Sequence, residues 1–295
     1  MTAAVAPPRS WVEVVRGASA GFVGTATVVD DGGTGQPPSP DPAAHPVVAT
    51  VAPAAALFGE LPGQPVTVQG ATSRPPDQRL ALDEPVFPPD ALRRLPYWDF
   101  ARADAEHQVV VLLAEPAWVR PLLGPEDDLP ATVGRVRGWT QLPAAEQVTT
   151  ILSDLNGGPV SAAGYLAGFQ LAWESSGEPV ELVRSFLAVS EPPAAGVAGM
   201  VDELQTTGAG LAPSTLESLA ELLLTAWSDA SAPEPIAAYL SWFDALGVRI
   251  WPDDPARRAE VGRLVRRDAE REFSGPHGAD WTERVRYRAS TMAGE

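Results

Sequence analysis

The hydrophobic period of this chain changes once, near residue 140, and that change constrains its fold more than any other feature. Before it, apolar residues come in short alternating runs separated by Pro and Gly. After it, they recur every three or four positions. Successive side chains of a strand point to opposite faces, whereas a helix returns residues i, i+3 and i+4 to one face. The expected class is therefore α+β, with the sheet first. Residues 8–138 are expected to form a small β-barrel or sandwich, and residues 142–293 an all-α helical-hairpin domain.

In the first part, Trp11-Val12-Glu13-Val14-Val15 alternates like a half-buried strand. Residues 22–29 predict a second strand, closed by Asp30-Asp31-Gly32-Gly33. The Pro-rich stretch 34–44, TGQPPSPDPAA, reads as a loop. Residues 47–51, 65–68 and 108–113 predict further strands, and 132–139 a last one. Several short strands with long polar connections suggest a barrel or sandwich.

The second part predicts about eight helices. Their stripes are Val148-Ile151-Leu152-Leu155, Ala162-Leu166-Phe169-Trp173, Val180-Val183-Phe186-Leu187 and Val197-Met200-Val201-Leu204. Leu216-Leu219-Ala220-Leu223-Trp227 and Ile236-Leu240-Phe243 follow. Asp253 or Asp254 is placed to cap the seventh helix, with Pro255 in its first turn. Its stripe is Val261-Leu264-Val265-Ala269-Phe273, and Gly275-Pro276 stops it. Trp281-Val285-Ala289-Met292 gives the eighth.

Taken in pairs, the helices start near 143, 178, 213 and 255. That spacing resembles helix-hairpin arrays of the HEAT or tetratricopeptide kind, which implies a solenoid. The Trp-Leu-Gly-Tyr signature of the tetratricopeptide family is absent. A compact non-repeating bundle predicts the same stripes, so both architectures stay open. In the first part, Leu57, Gly59, Pro62-Gly63 and Val66-Thr67-Val68, followed by 108–113, resemble the strands of netrin-like and other OB-type β-barrels. The cysteines of the netrin-like family are missing.

A third resemblance concerns SDLNGGPVS, residues 153–161, which is similar to the GDSGGP box of trypsin-like serine proteases. Laid on that box, Asn156 takes the nucleophile's place and Leu155 that of the Asp. An amide is no substitute for an activated hydroxyl, and a His base and an orienting acid are also required. His45, His107 and His277 stand in unsuitable contexts. The better account is a turn: Leu155 ends a helical stripe, Asn156-Gly157-Gly158 supplies left-handed conformations, and Pro159 starts the next helix.

Charge supplies the remaining hints. The chain has 21 basic and 38 acidic residues, a net charge of −17, with every basic residue an Arg and no Cys. Such a chain is repelled by phosphate backbones and anionic membranes, which argues against nucleic-acid and membrane partners. Lack of Cys removes disulfides and thiolate sites. No signal peptide or membrane span is evident, so a cytoplasmic protein is expected. Residues 1–140 carry 10 Arg against 16 acids, residues 141–248 one Arg, Arg184, against 13 acids, and residues 249–295 10 Arg against 9 acids.

The acidic helical middle is either a solvated face or a groove for a basic protein partner. On the second reading Glu174, Glu178, Glu181, Asp202, Glu203, Glu217 and Glu221 are the binding candidates. In the seventh helix, Asp254, Arg258, Arg263, Arg267, Asp268 and Arg271 read as mixed charges on an exposed face. In the β part, Tyr97 and Trp98, within Tyr97-Trp98-Asp99-Phe100, offer either a stacking platform or an anchor for a long loop. The acid runs Glu126-Asp127-Asp128 and Asp253-Asp254 lack calcium-loop spacing. No metal site and no cofactor are expected. The expected function is a non-catalytic interaction or adaptor protein. The alternatives are an enzyme whose carboxylates converge only in the fold, and an inactive protease-like module of a multi-component system.

Overall fold

Small and β-branched residues carry two long strands, β1 (Ala20–Asp30) and β2 (His45–Phe58). β2 turns back antiparallel into β3 (Val66–Thr72), and β1 also pairs antiparallel with β4 (Glu106–Leu113), which pairs with β5 (Trp118–Pro121). The sheet order is β3-β2-β1-β4-β5. The fourth strand thus returns to lie beside the first, which is a Greek-key connection. Register shifts at Gly21/Phe22, Val23/Gly24 and Val28/Asp30 bend β1 against β2. Phe22, Ala26, Ala49, Val51, Val109 and Val111 alternate onto one buried face.

The computed structural model describes residues 11–30, 45–72, 106–114, 118–122, 128–251, 253–275 and 277–293. These belong to two units, Met1–Leu142 and Pro143–Glu295. The architecture is mixed: an antiparallel sheet near the N-terminus, then a long run of helices.

Two segments read as strands are helices. Trp11–Gly17 forms α1 and Leu129–Thr140 forms α2. In α2 the buried residues Leu129, Thr132, Val133, Val136 and Trp139 return every three or four positions. In α1, Val12 and Val15 are buried while Glu13 and Arg16 are exposed. Their β-branched content misleads because strand propensity is a weak prior that burial on one helical face overrides. Arg137 of α2 donates to the carbonyls of Val15 and Arg16, both at 2.9 Å, and so caps the C-terminus of α1. Its guanidinium also lies 4.8 Å from the ring centre of Phe58.

The β2–β3 link depends on one glycine. Gly59 has φ +70, and a Cβ there would stand 2.5 Å from the Ser19 carbonyl oxygen. Backbone conformation and space both demand glycine at this position.

The eight helical stripes each fall on one helix. These are α3 (Ala144–Asn156), α4 (Ala162–Ser175), α5 (Pro179–Leu187), α6 (Ala194–Thr207), α7 (Pro213–Asp229), α8 (Pro233–Ile250), α9 (Pro255–Ala269) and α10 (Gly278–Ala293). α9 stops before Phe273, so that residue of the expected stripe lies beyond the helix. Asp254 caps α9, accepting from the amides of Ala256 at 3.0 Å and Arg257 at 3.1 Å.

Packing follows an alternating order. α4 lies on α6, α6 on α8 and α8 on α10, while α5 lies on α7 and α7 on α9. Hairpin contacts α3–α4, α7–α8 and α9–α10 tie the two rows together. Helices α4 and α6 are buried almost all round: residues 163–169 of α4 and 196–201 of α6 are buried without a break. α5, in contrast, buries one stripe, Leu182, Val183 and Phe186.

Small residues set the spacing of α4 and α6. A Cβ on Gly196 would lie 3.0 Å from Tyr165, and one on Gly199 would lie 3.1 Å from Leu166. Tyr165 donates from its hydroxyl to the Phe186 carbonyl at 2.8 Å, linking α4 to α5. Its ring meets Phe186 edge to face.

Candidate acidic surface and buried polar sites

The seven acidic candidates are spread over four helices. Glu174 is exposed near the end of α4, Glu178 is exposed at the N-cap position of α5, and Glu181 is exposed in its first turn. Glu217 is exposed and Glu221 half-buried on α7, while Asp202 and Glu203 are half-buried on α6. Because α5 packs on α7, Glu178, Glu181, Glu217 and Glu221 belong to neighbouring helices of one row. Asp202 and Glu203 belong to the other row. Tyr97 and Trp98 lie outside the described residues, as do Glu126 and Asp127.

Several of these carboxylates have partners within the chain. Arg257 of α9 reaches Glu221 at 2.6 Å and Glu260 at 3.5 Å. Arg184 pairs with Glu181 at 3.4 Å, both side chains being well exposed. Glu203 accepts from the Gln170 amide at 3.1 Å, across the α4–α6 contact. The exposed ion pairs contribute little to stability, at most about 1 kcal/mol each. They do fix where the carboxylates stand.

The acid that matters most to the architecture was read wrongly from the sequence. Asp268 is not on an exposed face of α9: its exposure is 0%. Its carboxylate accepts from Trp227 Nε1 at 2.8 Å and from Arg267 through Nε at 2.8 Å and Nη2 at 2.9 Å. Arg267 in turn donates to the Ser228 carbonyl at 2.8 Å, and Arg271 to the Ala230 carbonyl at 2.9 Å. Two guanidinium groups, one from α9 and one just beyond its end, thus satisfy carbonyls at the C-terminus of α7, and a buried carboxylate holds one of them by a two-point fork. The missed signal is the spacing of Val261, Leu264, Val265 and Asp268, which places the Asp on the apolar stripe of its helix.

Two phenols are also buried in the helical unit. Burial pushes the Tyr165 hydroxyl well above the ordinary tyrosine value, and the neighbouring Tyr239 adds to the shift. Burial does the same to Tyr239. Both are neutral hydroxyls at physiological pH.

The stretch 153–161 is a helix–helix connection, built differently from expectation. Gly157 has φ −81, so it is not left-handed. Asn156 ends α3, and its side-chain oxygen accepts from the Ser190 amide at 3.0 Å. Ser161, not Pro159, opens α4, accepting from the Gly164 amide at 3.2 Å. The second β-barrel of a trypsin-like protease has no room here, because α3, α4 and α5 occupy residues 144–187.

Among the described residues, no group of three or more His, Asp or Glu is placed to hold a metal ion, and no helix is long and apolar enough to cross a membrane. No family model matches the chain, and neither a curated protein nor a solved structure is significantly similar to it.

Proposed function

We propose that this is a non-catalytic interaction protein whose helical unit presents an acidic surface to a basic protein partner. The observation that carries the reading is the charge on two packed helices. Glu178, Glu181 and Glu217 are exposed on α5 and α7, within a segment, 141–248, where 13 acids face a single Arg. That Arg184 already pairs with Glu181. A patch in which acids outnumber arginines attracts a basic surface and speeds its encounter.

The alternating order of helix contacts favours a short helical-hairpin array over a closed bundle. In arrays each repeat touches its neighbours, and the rows offer extended binding faces. The Greek-key order of the sheet favours the OB-type barrel, which is a partly open five-stranded Greek key. On this reading the β unit is a second module of the chain.

Affinity purification from the native host, with the wild-type chain and with Glu178→Gln/Glu181→Gln/Glu217→Gln, tests the proposal. A basic protein should co-elute with the wild type at moderate salt and be lost with the triple variant. Co-elution of the same set by both chains, or of ribosomal and chaperone background alone, would refute it.

A further inference from the structure

The last hairpin, α9 and α10, is held in place by different means from the helices before it. It packs on α7 and α8. Among its described residues the fully buried apolar side chains are Leu264 and Val265 on α9 and Val285 and Ala289 on α10. α8 by itself buries Ile236, Tyr239, Leu240, Trp242, Phe243 and Ile250, with others. Regions that bury little apolar surface open locally at the smallest cost. The last hairpin of an array also has a neighbour on one side only.

Polar bonds to α7 stand in for the missing apolar contact. Asp268 accepts from the Trp227 indole and from the Arg267 fork, while Arg267 and Arg271 donate to the Ser228 and Ala230 carbonyls. Arg257 reaches Glu221 at 2.6 Å. The hairpin also has ties of its own that do not involve α7. Thr282 Oγ1 accepts from the Phe273 amide at 3.0 Å, and Arg286 donates to the Ala269 carbonyl at 3.3 Å.

We propose that α9 and α10 open as one body from α7 and α8, with the Asp268 fork as the latch, while α3–α8 stay folded. Asp268 has 0% exposure, and a charge so buried is tolerated only while its donors stay in place. Weakening one donor therefore favours release and hydration of the carboxylate. Opening bares the part of α8 that α10 covers, and it frees Glu221 from Arg257. The movement goes beyond the reading of α5 and α7 as a partner surface and does not depend on it.

Hydrogen exchange of the full chain, read by mass spectrometry over a series of urea concentrations below the unfolding transition, tests the inference. In wild type, peptides from α9 and α10 should exchange together. They should do so roughly tenfold or more faster than the slowest peptides of α4 and α6. Their dependence on urea should also be weaker, because opening exposes less surface than unfolding. Asp268→Asn should speed exchange of the hairpin by roughly tenfold or more, since it weakens the closed form alone. Gly196→Val, at the α4–α6 junction, weakens the closed and open forms equally. It should speed exchange in α4 and α6 and leave the hairpin unchanged.

Hairpin amides that share the rate and urea dependence of α4 and α6 overturn the inference, as does an Asp268→Asn hairpin with wild-type protection. So does exchange of α9 without α10, or a Gly196→Val chain in which the hairpin speeds up as much as α4. The wild-type urea series needs no variant, so a substitution that fails to fold leaves the decision with it.

Discussion

Where α4 meets α6, Gly196 and Gly199 admit Tyr165 and Leu166 at distances a Cβ would already crowd. Where α7 meets α9, a wholly buried carboxylate and two arginines hold the helices together. The first junction is set mainly by steric fit. The second is polar and depends on charge. The difference follows from the helices themselves. α4 and α6 are built of Ala, Gly and large apolar residues, and they pack wherever their backbones can approach. α9, PARRAEVGRLVRRDA, has few apolar side chains to bury, so directional bonds fix its position on α7. The steric junction should fail when volume is added, and the polar one when a charge is removed.

The largest effect is expected at the polar junction. Asp268→Ala leaves the Trp227 indole N–H without its acceptor and frees the Arg267 fork. Removing one member of a buried pair costs about 3–5 kcal/mol. Arg267 keeps 30% side-chain exposure and can rehydrate, which places the expectation at the lower end. Urea unfolding measures it. A loss under about 1 kcal/mol would mean that Asp268 acts as an ordinary surface acid.

Next comes the steric junction. Gly196→Val should destabilise by about 1–3 kcal/mol through overpacking. Gly134→Ala is the control: a Cβ there meets nothing within 4 Å, and Gly in a helix interior is intrinsically costly. It should stabilise by about 0.5–1 kcal/mol. Equal effects of both changes in thermal melts would remove the claim of close approach.

The smallest effect, and the most pH-dependent, is at Tyr165. Tyr165→Phe removes the hydroxyl bonded to the Phe186 carbonyl and should cost about 1 kcal/mol at neutral pH. The phenols of Tyr165 and Tyr239 stay protonated in the fold, whereas an unfolded chain ionises them near 10.0. Their folded values are raised, so this contribution is fully present below pH 10 and is lost as pH rises above it. The slope is about 1.4 kcal/mol per pH unit for each phenol. Urea midpoints measured above pH 10 should fall less steeply for Tyr165→Phe than for wild type.

The helical half was legible because its signal is long and redundant. Each stripe repeats over two turns or more, and the pair starts near 143, 178, 213 and 255 agree with α3, α5, α7 and α9. The Asp254 cap was legible for a local reason: a short acceptor followed by Pro leaves few other conformations. Short segments were not legible. Seven residues of α1 and twelve of α2 carry enough Val and Thr to imitate strands, and only the arrangement of their neighbours decides the matter.

Alone, the order of residues determined that β structure precedes a run of helices and that the helical middle is overwhelmingly acidic. Those properties are periodic or additive, and each residue contributes to them independently of distant ones. The tertiary structure decided that α1 and α2 are helices, that Asp268 is buried between α7 and α9, and that Glu221 is bound to Arg257. The local spacing sets Asp268 on the apolar stripe of its helix, but which distant side chain comes within about 3 Å of it, or of Glu221, is not encoded locally.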